Sequence, residues 1–233
     1  MELKVIARAR NGFKDKFGIP RQTDERTLLL TRIVFEPDYR VKESLRGIEQ
    51  FSHLWLLWGF HDLKNATSGT EAGMSWSPTV RPPRLGGNTR VGVFATRSPY
   101  RPNPIGMSSV RLLGVEQSAT EGYTLLVSGA DMLDGTPVYD IKPYLAYTDS
   151  HPDAADGFAV NGLKDRLTVV WDDTSGMDSR SKEQVEEVLS YDPRPAYQND
   201  MQRIYHLRYD KWEVSFRVEE KLAIVVKIIK CES

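Results

Sequence analysis

Residues 51–60, FSHLWLLWGF, form an apolar run of strand length whose fate limits the whole fold. Its aromatic side chains (Phe51, Trp55, Trp58, Phe60) and Gly59 favour a buried β-strand over a helix. Such a strand needs partners, and the chain supplies short segments of the same type. Residues 3–8 and 27–35 read as strands. So do residues 90–96, the pair 108–115 and 123–129 around a polar turn at 118–122, and residues 138–145. Residues 39–48 have room for one or two helical turns, with Gly47 as a stop. Strands separated by Gly/Pro loops, without a strand–helix rhythm, point to an all-β barrel or sandwich over residues 1–147 and away from a doubly wound nucleotide fold.

The texture changes after residue 148. Residues 148–160 are polar and acidic, and a helix follows over 181–189 with Ser179 or Ser181 as N-cap. Strands over 204–209, 212–218 and 222–229 are joined by tight turns at Asp210-Lys211 and Glu219-Glu220. The expected organisation is therefore mainly β, an all-β barrel domain (1–147) with a small α+β domain (148–233). With 40% hydrophobic residues the chain can bury a core, and no apolar run approaches the roughly 18 residues of a membrane span. Met1-Glu2-Leu3-Lys4 lacks the order of a signal peptide, so a cytoplasmic protein is expected. Cys231 is the one cysteine, and the histidines, His53, His61, His151 and His206, are scattered, which leaves no metal-ligand set and no disulfide.

The net charge of -1 argues against a nucleic-acid partner, but it hides a segregated distribution. Residues 73–115 contain Arg81, Arg84, Arg90, Arg97, Arg101 and Arg111, with no lysine and no acid. Residues 131–192 hold 14 acidic against 5 basic side chains. Arginine is the residue of planar, bidentate contacts to phosphate or carboxylate, so the block reads as a ligand surface. Internal pairing with the acidic region is an equal alternative for any single arginine.

Four loop segments carry candidate chemistry. Lys16 to Gln22 combines cations, a rigid proline and an amide. Residues 77–106 bear the arginines on a chain stiffened by Pro78, Pro82, Pro83, Pro99, Pro102 and Pro104, which lowers the entropy lost on binding an anion. Asp134-Gly135-Thr136-Pro137 is a turn, and the strand after it sets Val138, Asp140 and Lys142 on one face. That Asp and Lys suit either a small zwitterion or a cross-strand ion pair. Finally, Tyr191-Asp192-Pro193-Arg194-Pro195-Ala196-Tyr197 ends the helix and offers an arginine and two tyrosines for RNA stacking and phosphate contact.

The stretches KFGIPRQ (16–22), RGIEQFSHLWLLWGFH (46–61), PTVRPPRLGGNTRVGVFATRSPYRPNPIGMS (78–108), DMLDGTPVYDIKPYL (131–145) and DPRPAY (192–197) closely resemble the TrmO family of tRNA methyltransferases, also called YaeB or TsaA-like. The resemblance implies a non-Rossmann, all-β-barrel methyltransferase that binds S-adenosylmethionine, works as a homodimer, and methylates N6 of t6A beside the anticodon of threonine tRNA to give m6t6A. Carried over residue by residue, it implies cofactor contacts at Pro20, Arg21, Gln22, His61, Asp62, Arg97, Ser109, Asp134, Gly135, Thr136 and Pro137. Position 62 is Asp where some relatives have an amide. Asn103 is then a candidate to orient the amine, and Asp140 or Tyr144 to accept its proton. Arg81, Arg84, Arg101 and Arg194 are candidates for phosphates of the anticodon stem-loop. The alternatives are a non-catalytic S-adenosylmethionine- or RNA-binding protein, a methyltransferase with another substrate, and a Pro/Arg-rich interaction module without a ligand.

Overall fold

The structure, a computed structural model, describes residues 2–20, 27–61, 76–82, 85, 88–162, 166–173, 176–194 and 200–231. Six antiparallel strands close a barrel: β1 (Ala7–Arg10), β2 (Leu30–Phe35), β3 (His53–Gly59), β6 (Ile105–Ser118), β7 (Gly122–Ser128) and β8 (Pro137–Pro143), in the spatial order β1-β2-β7-β6-β3-β8. Closure comes from β1, which pairs with β8 (Ala7 opposite Val138) as well as with β2. Alternate residues of each strand fill the inside. Leu54, Leu56 and Trp58 of β3, Ile33 of β2, Val110 of β6, Leu125 and Val127 of β7 and the small Ala7 and Ala9 of β1 are all buried there. Gly106 lies opposite Trp58, and a Cβ there would come within 2.3 Å of the indole. That close approach requires the glycine of the N-P-I-G stretch.

Most expected strands are present, with instructive differences. Residues 90–96 form no full strand: the two-residue β4 (Thr79–Val80) and β5 (Val91–Gly92) make a small ribbon, and the chain then enters a 3-10 turn at Val93–Ala95. Residues 37–50 hold three short 3-10 turns, with Gly47 in the left-handed region at φ 88°. On β8 the simple alternation fails. Leu57 faces Asp140 but Trp58 faces Val138, so Tyr139 is bulged out. The slip lets both Val138 and Ile141 pack on the core, although they stand three positions apart and simple alternation would put them on opposite faces.

The second module is a four-stranded sheet in the order β10-β11-β12-β9, formed by β9 (Thr168–Trp171), β10 (Tyr205–Tyr209), β11 (Trp212–Glu219) and β12 (Leu222–Lys230). β9, which the sequence pattern does not reveal, runs parallel to β12. Both tight turns place a residue at positive φ, Asp210 at 51° and Glu220 at 50°. After the single turn α1 (Ala146–Asp149), helix α2 (Ser179–Ser190) begins two residues before its expected start, and Asp178 rather than a serine caps it, accepting from Ser181 N at 2.9 Å and Ser181 Oγ at 2.8 Å. Val185, Val188 and Leu189 of α2 share a core with Leu207, Val214 and Phe216 of the sheet.

That core also contains Phe13 and Leu29, with Phe17 and Ile19 against it. The connection between β1 and β2 therefore leaves the barrel, packs into the C-terminal module and returns. Phe13 meets Tyr209 edge-on at 5.3 Å, and Asp210 N donates to the Gly12 carbonyl at 2.7 Å.

Candidate active site

Antiparallel order decides which loops meet. β1, β3 and β7 end at the rim where β2, β6 and β8 begin. The connections β1–β2, β3–β6 and β7–β8 thus emerge together, and their described residues include, respectively, residues 16–20, His61 with residues 88–104, and the Asp134–Pro137 turn. Three connections distant in sequence become one rim by strand parity alone.

The Asp134–Pro137 turn is fastened on three sides. Asp134 N donates to the Phe13 carbonyl (2.9 Å), Gly135 N to the Ala9 carbonyl (2.8 Å), and Thr136 N to the Leu133 carbonyl (3.2 Å). Asp134 Oδ1 accepts from Asn11 N at 3.0 Å, and Oδ2 pairs with Lys14 Nζ at 3.0 Å. Gly135 sits at φ 80°, a left-handed conformation that favours glycine, and the Arg8 guanidinium donates to its carbonyl at 3.4 Å. Thr136 is buried, and its hydroxyl is hydrogen-bonded to His61 Nδ1 at 3.2 Å. The bond joins two of the expected positions 75 residues apart and fixes the ring, whose Nε2 faces Gly135. Pro20 is also buried.

Asn103 is exposed at the same rim, where its carbonyl accepts from Ile105 N (2.8 Å), and Phe60 N reaches the Pro104 carbonyl (3.0 Å) to tie the end of β3 to this loop. Arg97 and Arg81 are exposed and make no ion pair among the described residues. Arg101 is half-buried and turned partly onto its own loop, NH1 donating to the carbonyls of Thr96 (3.2 Å) and Ser98 (3.3 Å). Arg21, Gln22, Asp62 and Arg84 lie outside the described residues.

Three expected residues sit elsewhere on this chain. Ser109 faces outward in the middle of β6, opposite Trp55. Asp140 lies on the outer wall, paired with Lys142 at 2.8 Å, so the Asp and Lys of that face hold each other rather than a free pair of sites. Tyr144 is at the far end of the barrel, about 23 Å along the strand from Pro137 at 3.3 Å per residue. There its ring packs on Trp55 (5.5 Å) and its N–H donates to the His53 carbonyl. Neither Asp140 nor Tyr144 reaches the rim within one chain. Arg194 is also set apart. Its guanidinium is bidentate on Asp192, with Nε–Oδ1 2.7 Å and NH2–Oδ2 3.1 Å, and its side chain is only 11% exposed. It serves as an internal ion pair.

Two groups at the rim escaped the sequence reading. Asn11 clamps the turn from below, with Nδ2 donating to the Met132 carbonyl (2.9 Å) and Oδ1 accepting from Phe13 N (3.0 Å). Inside the barrel mouth, Trp58 Nε1 donates to Ser108 Oγ (2.9 Å), which in turn donates to Asp131. Asp131 stands three residues before Asp134 in the same D-M-L-D-G-T-P stretch, and that repeated acid is the one sequence signal for it.

The described sequence matches the tRNA-methyltransferase O N-terminal domain over residues 8–150 and the TrmO C-terminal domain over residues 167–231. The chain belongs to the TrmO family. A relative from Eikenella corrodens, named tRNA (adenine(37)-N6)-methyltransferase, is 46% identical over 186 residues, 78% of this chain and 99% of that one. The protein of the same name from Escherichia coli K12 is 38% identical and covers 94% of each chain. The crystal structure of TrmO from Pseudomonas aeruginosa superposes with a TM-score of 0.73 at 31% identity, over 98% of both chains. For a TrmO-family chain the rim residues are the ones to examine against S-adenosylmethionine, and they suit its chemistry. An exposed Arg97 matches a carboxylate, the Asp134 carboxylate matches an amine or ribose hydroxyls, and the Gly135 turn allows close backbone approach. No helix of the described residues is long and apolar enough to cross a membrane, and no group of three metal-ligating side chains occurs among them.

Proposed function

We propose that the protein methylates N6 of t6A at position 37 of threonine tRNA, giving m6t6A, with S-adenosylmethionine as methyl donor and as a homodimer. S-adenosylmethionine-dependent methylation of tRNA at adenine 37 follows from family membership and from relatives of that name. The t6A substrate rests on the resemblance. The observation that carries the reading is the rim itself, where the fastened Asp134–Pro137 turn, the Thr136–His61 bond and the acid-free arginine loop emerge together.

When bound, the cofactor supplies a sulfonium methyl, whose bond to sulfur breaks as the bond from N6 to carbon forms. The chain's part is positioning. Thr136 holds His61 and Asn11 holds Asp134, so the site is built before any ligand arrives. Asn103 at the rim orients N6, which in t6A bears a single N–H and a lone pair delocalised into the ring and the carbamoyl group, by accepting that N–H, and the proton released as the methyl arrives passes to Asp140 or Tyr144 brought to the rim by the partner chain. Arg81, Arg84 and Arg101 meet phosphates of the anticodon stem-loop, where the target base is single-stranded and needs little energy to swing out. Exposed Ile105 (37%), Met107 (57%) and Leu113 (46%) lie on the outward face of β6, with Ser109 and Arg111 between them, and their apolar surface supports the homodimer. Ser109 on the same face, and Asp140 and Tyr144 on the adjoining wall, then contribute to the partner's rim rather than to their own.

The test is two-armed. Asn103→Ala is expected to lower kcat with S-adenosylmethionine affinity unchanged, and a mixed dimer of an Asp140→Ala chain with a Thr136→Val chain is expected to regain activity in one of its two rims. Wild-type kcat in Asn103→Ala would remove its role. A monomeric, fully active protein would remove the dimer. Because Thr136→Val only weakens cofactor binding, the mixed dimer is assayed at S-adenosylmethionine concentrations below the dissociation constant for that variant.

A further inference from the structure

Phe94 is 74% exposed, far more than any other phenylalanine among the described residues. It stands on the 3-10 turn Val93–Ala95, and that turn is not loose. Val93 beneath it is 1% exposed, and its N–H donates to the Pro78 carbonyl at 2.9 Å. Thr96 closes the turn with its N–H (3.1 Å) and its hydroxyl (2.8 Å) on the Val93 carbonyl. Ser98 N donates back to Thr96 Oγ1, and Arg101 NH1 donates to the Thr96 and Ser98 carbonyls. The backbone therefore holds a hydrophobic ring out in water, between Arg90 and Arg97, in a stretch without a single acid.

We infer that Phe94 is a stacking platform for an unpaired nucleobase of the tRNA anticodon loop, next to the base that is methylated. The inference rests on the reading of tRNA as substrate and adds the residue that grips the loop beside its phosphate contacts. An exposed aromatic flanked by arginines is the combination that single-stranded RNA requires, a π-face for the base and cations for the backbone. The bracing matters because a ring fixed before binding loses little entropy on stacking. A second copy of this chain is the less suitable occupant. On a two-fold axis the loop would meet itself, arginine against arginine, and Ile105, Met107 and Leu113 of β6 already offer apolar surface elsewhere for that purpose.

The experiment compares wild type, Phe94→Ala, Phe94→Leu and Phe94→Trp in steady-state methylation of t6A-bearing threonine tRNA, with S-adenosylmethionine affinity from calorimetry and mass from sedimentation. The wild type must methylate the tRNA; if it does not, the substrate reading fails and not this one. Given an active wild type, Phe94→Ala and Phe94→Leu are expected to raise the KM for tRNA by roughly 5- to 150-fold, the range of a lost base–aromatic stack. Phe94→Trp is expected to restore it. Affinity for S-adenosylmethionine and the molecular mass are expected to stay at wild-type values. An unchanged KM for tRNA, equal KM values for leucine and tryptophan, weakened cofactor binding or a lowered mass would each overturn the assignment, the last in favour of a protein–protein contact.

Discussion

Replacing Phe13 by alanine tests whether the barrel's own loop is part of the second module, and whether that packing reaches the rim. Phe13 is 2% exposed, lies in the core of the C-terminal sheet and meets Tyr209 edge-on at 5.3 Å. Truncating a buried phenylalanine costs about 3–5 kcal/mol, the transfer of the ring plus the cavity it leaves. In a chain of this length each kcal/mol lowers Tm by about 2–4 °C, so a fall of about 6–20 °C is expected by calorimetry. The second effect is on the site. The Phe13 carbonyl accepts from Asp134 N and its N–H donates to Asn11, which holds the same turn, while Gly12 is pinned from above, since a Cβ there would come within 2.5 Å of the Tyr209 ring. A milder Phe13→Leu variant, folded at assay temperature, is therefore expected to bind S-adenosylmethionine more weakly. A fall in Tm of less than 2 °C for the alanine variant would refute the packing. Wild-type cofactor affinity in a destabilised leucine variant would refute the coupling between module and turn.

Three further outcomes are expected. Thr136→Val keeps the buried shape but removes the bond to His61, a net loss of about 0.5–1.5 kcal/mol, so S-adenosylmethionine affinity is expected to fall about 2- to 12-fold by calorimetry with the fold intact. Arg194→Ala removes the bidentate pair with Asp192 and is expected to lower stability in denaturant titration; Arg81→Ala is expected to leave stability alone but to flatten the salt dependence of the KM for tRNA. Asp149 accepts from Leu145 N and from the Trp55 indole, and these bonds hold its carboxyl below the ordinary carboxylate range. A lowered folded value means that its contribution is present above about pH 4 and is lost as pH falls through the lowered value. The Trp55 indole N–H resonance is expected to shift in that acid range, and to lose the shift in Asp149→Asn.

What could be read from sequence follows the range of the interactions involved. β3, the β6–β7 hairpin and the β10–β11–β12 meander announce themselves because alternation and turn residues act over a few positions. β9 is four residues long and owes its existence to β12, more than fifty positions away. Residues 90–96 look like a strand by composition, yet Thr96 and Pro78 draw them into a turn that exposes Phe94. The bulge at Tyr139 moves Ile141 inward, which no alternation rule foresees. At the site the motif residues are visible, but their meeting is a matter of strand parity around a closed barrel. The Thr136–His61 bond and the Asn11 clamp exist only in three dimensions. Arg194, attractive for RNA by type, is held in the structure by the aspartate two positions before it, a contact that its residue type alone does not announce.

The central claim is met most directly by incubating the protein with S-adenosylmethionine and threonine tRNA carrying t6A, then digesting the tRNA and measuring its nucleosides by mass spectrometry. The account predicts that t6A is converted to m6t6A, and that a transcript without the threonylcarbamoyl group gains no methyl. Unchanged t6A, or equal methylation of the bare transcript, would contradict it.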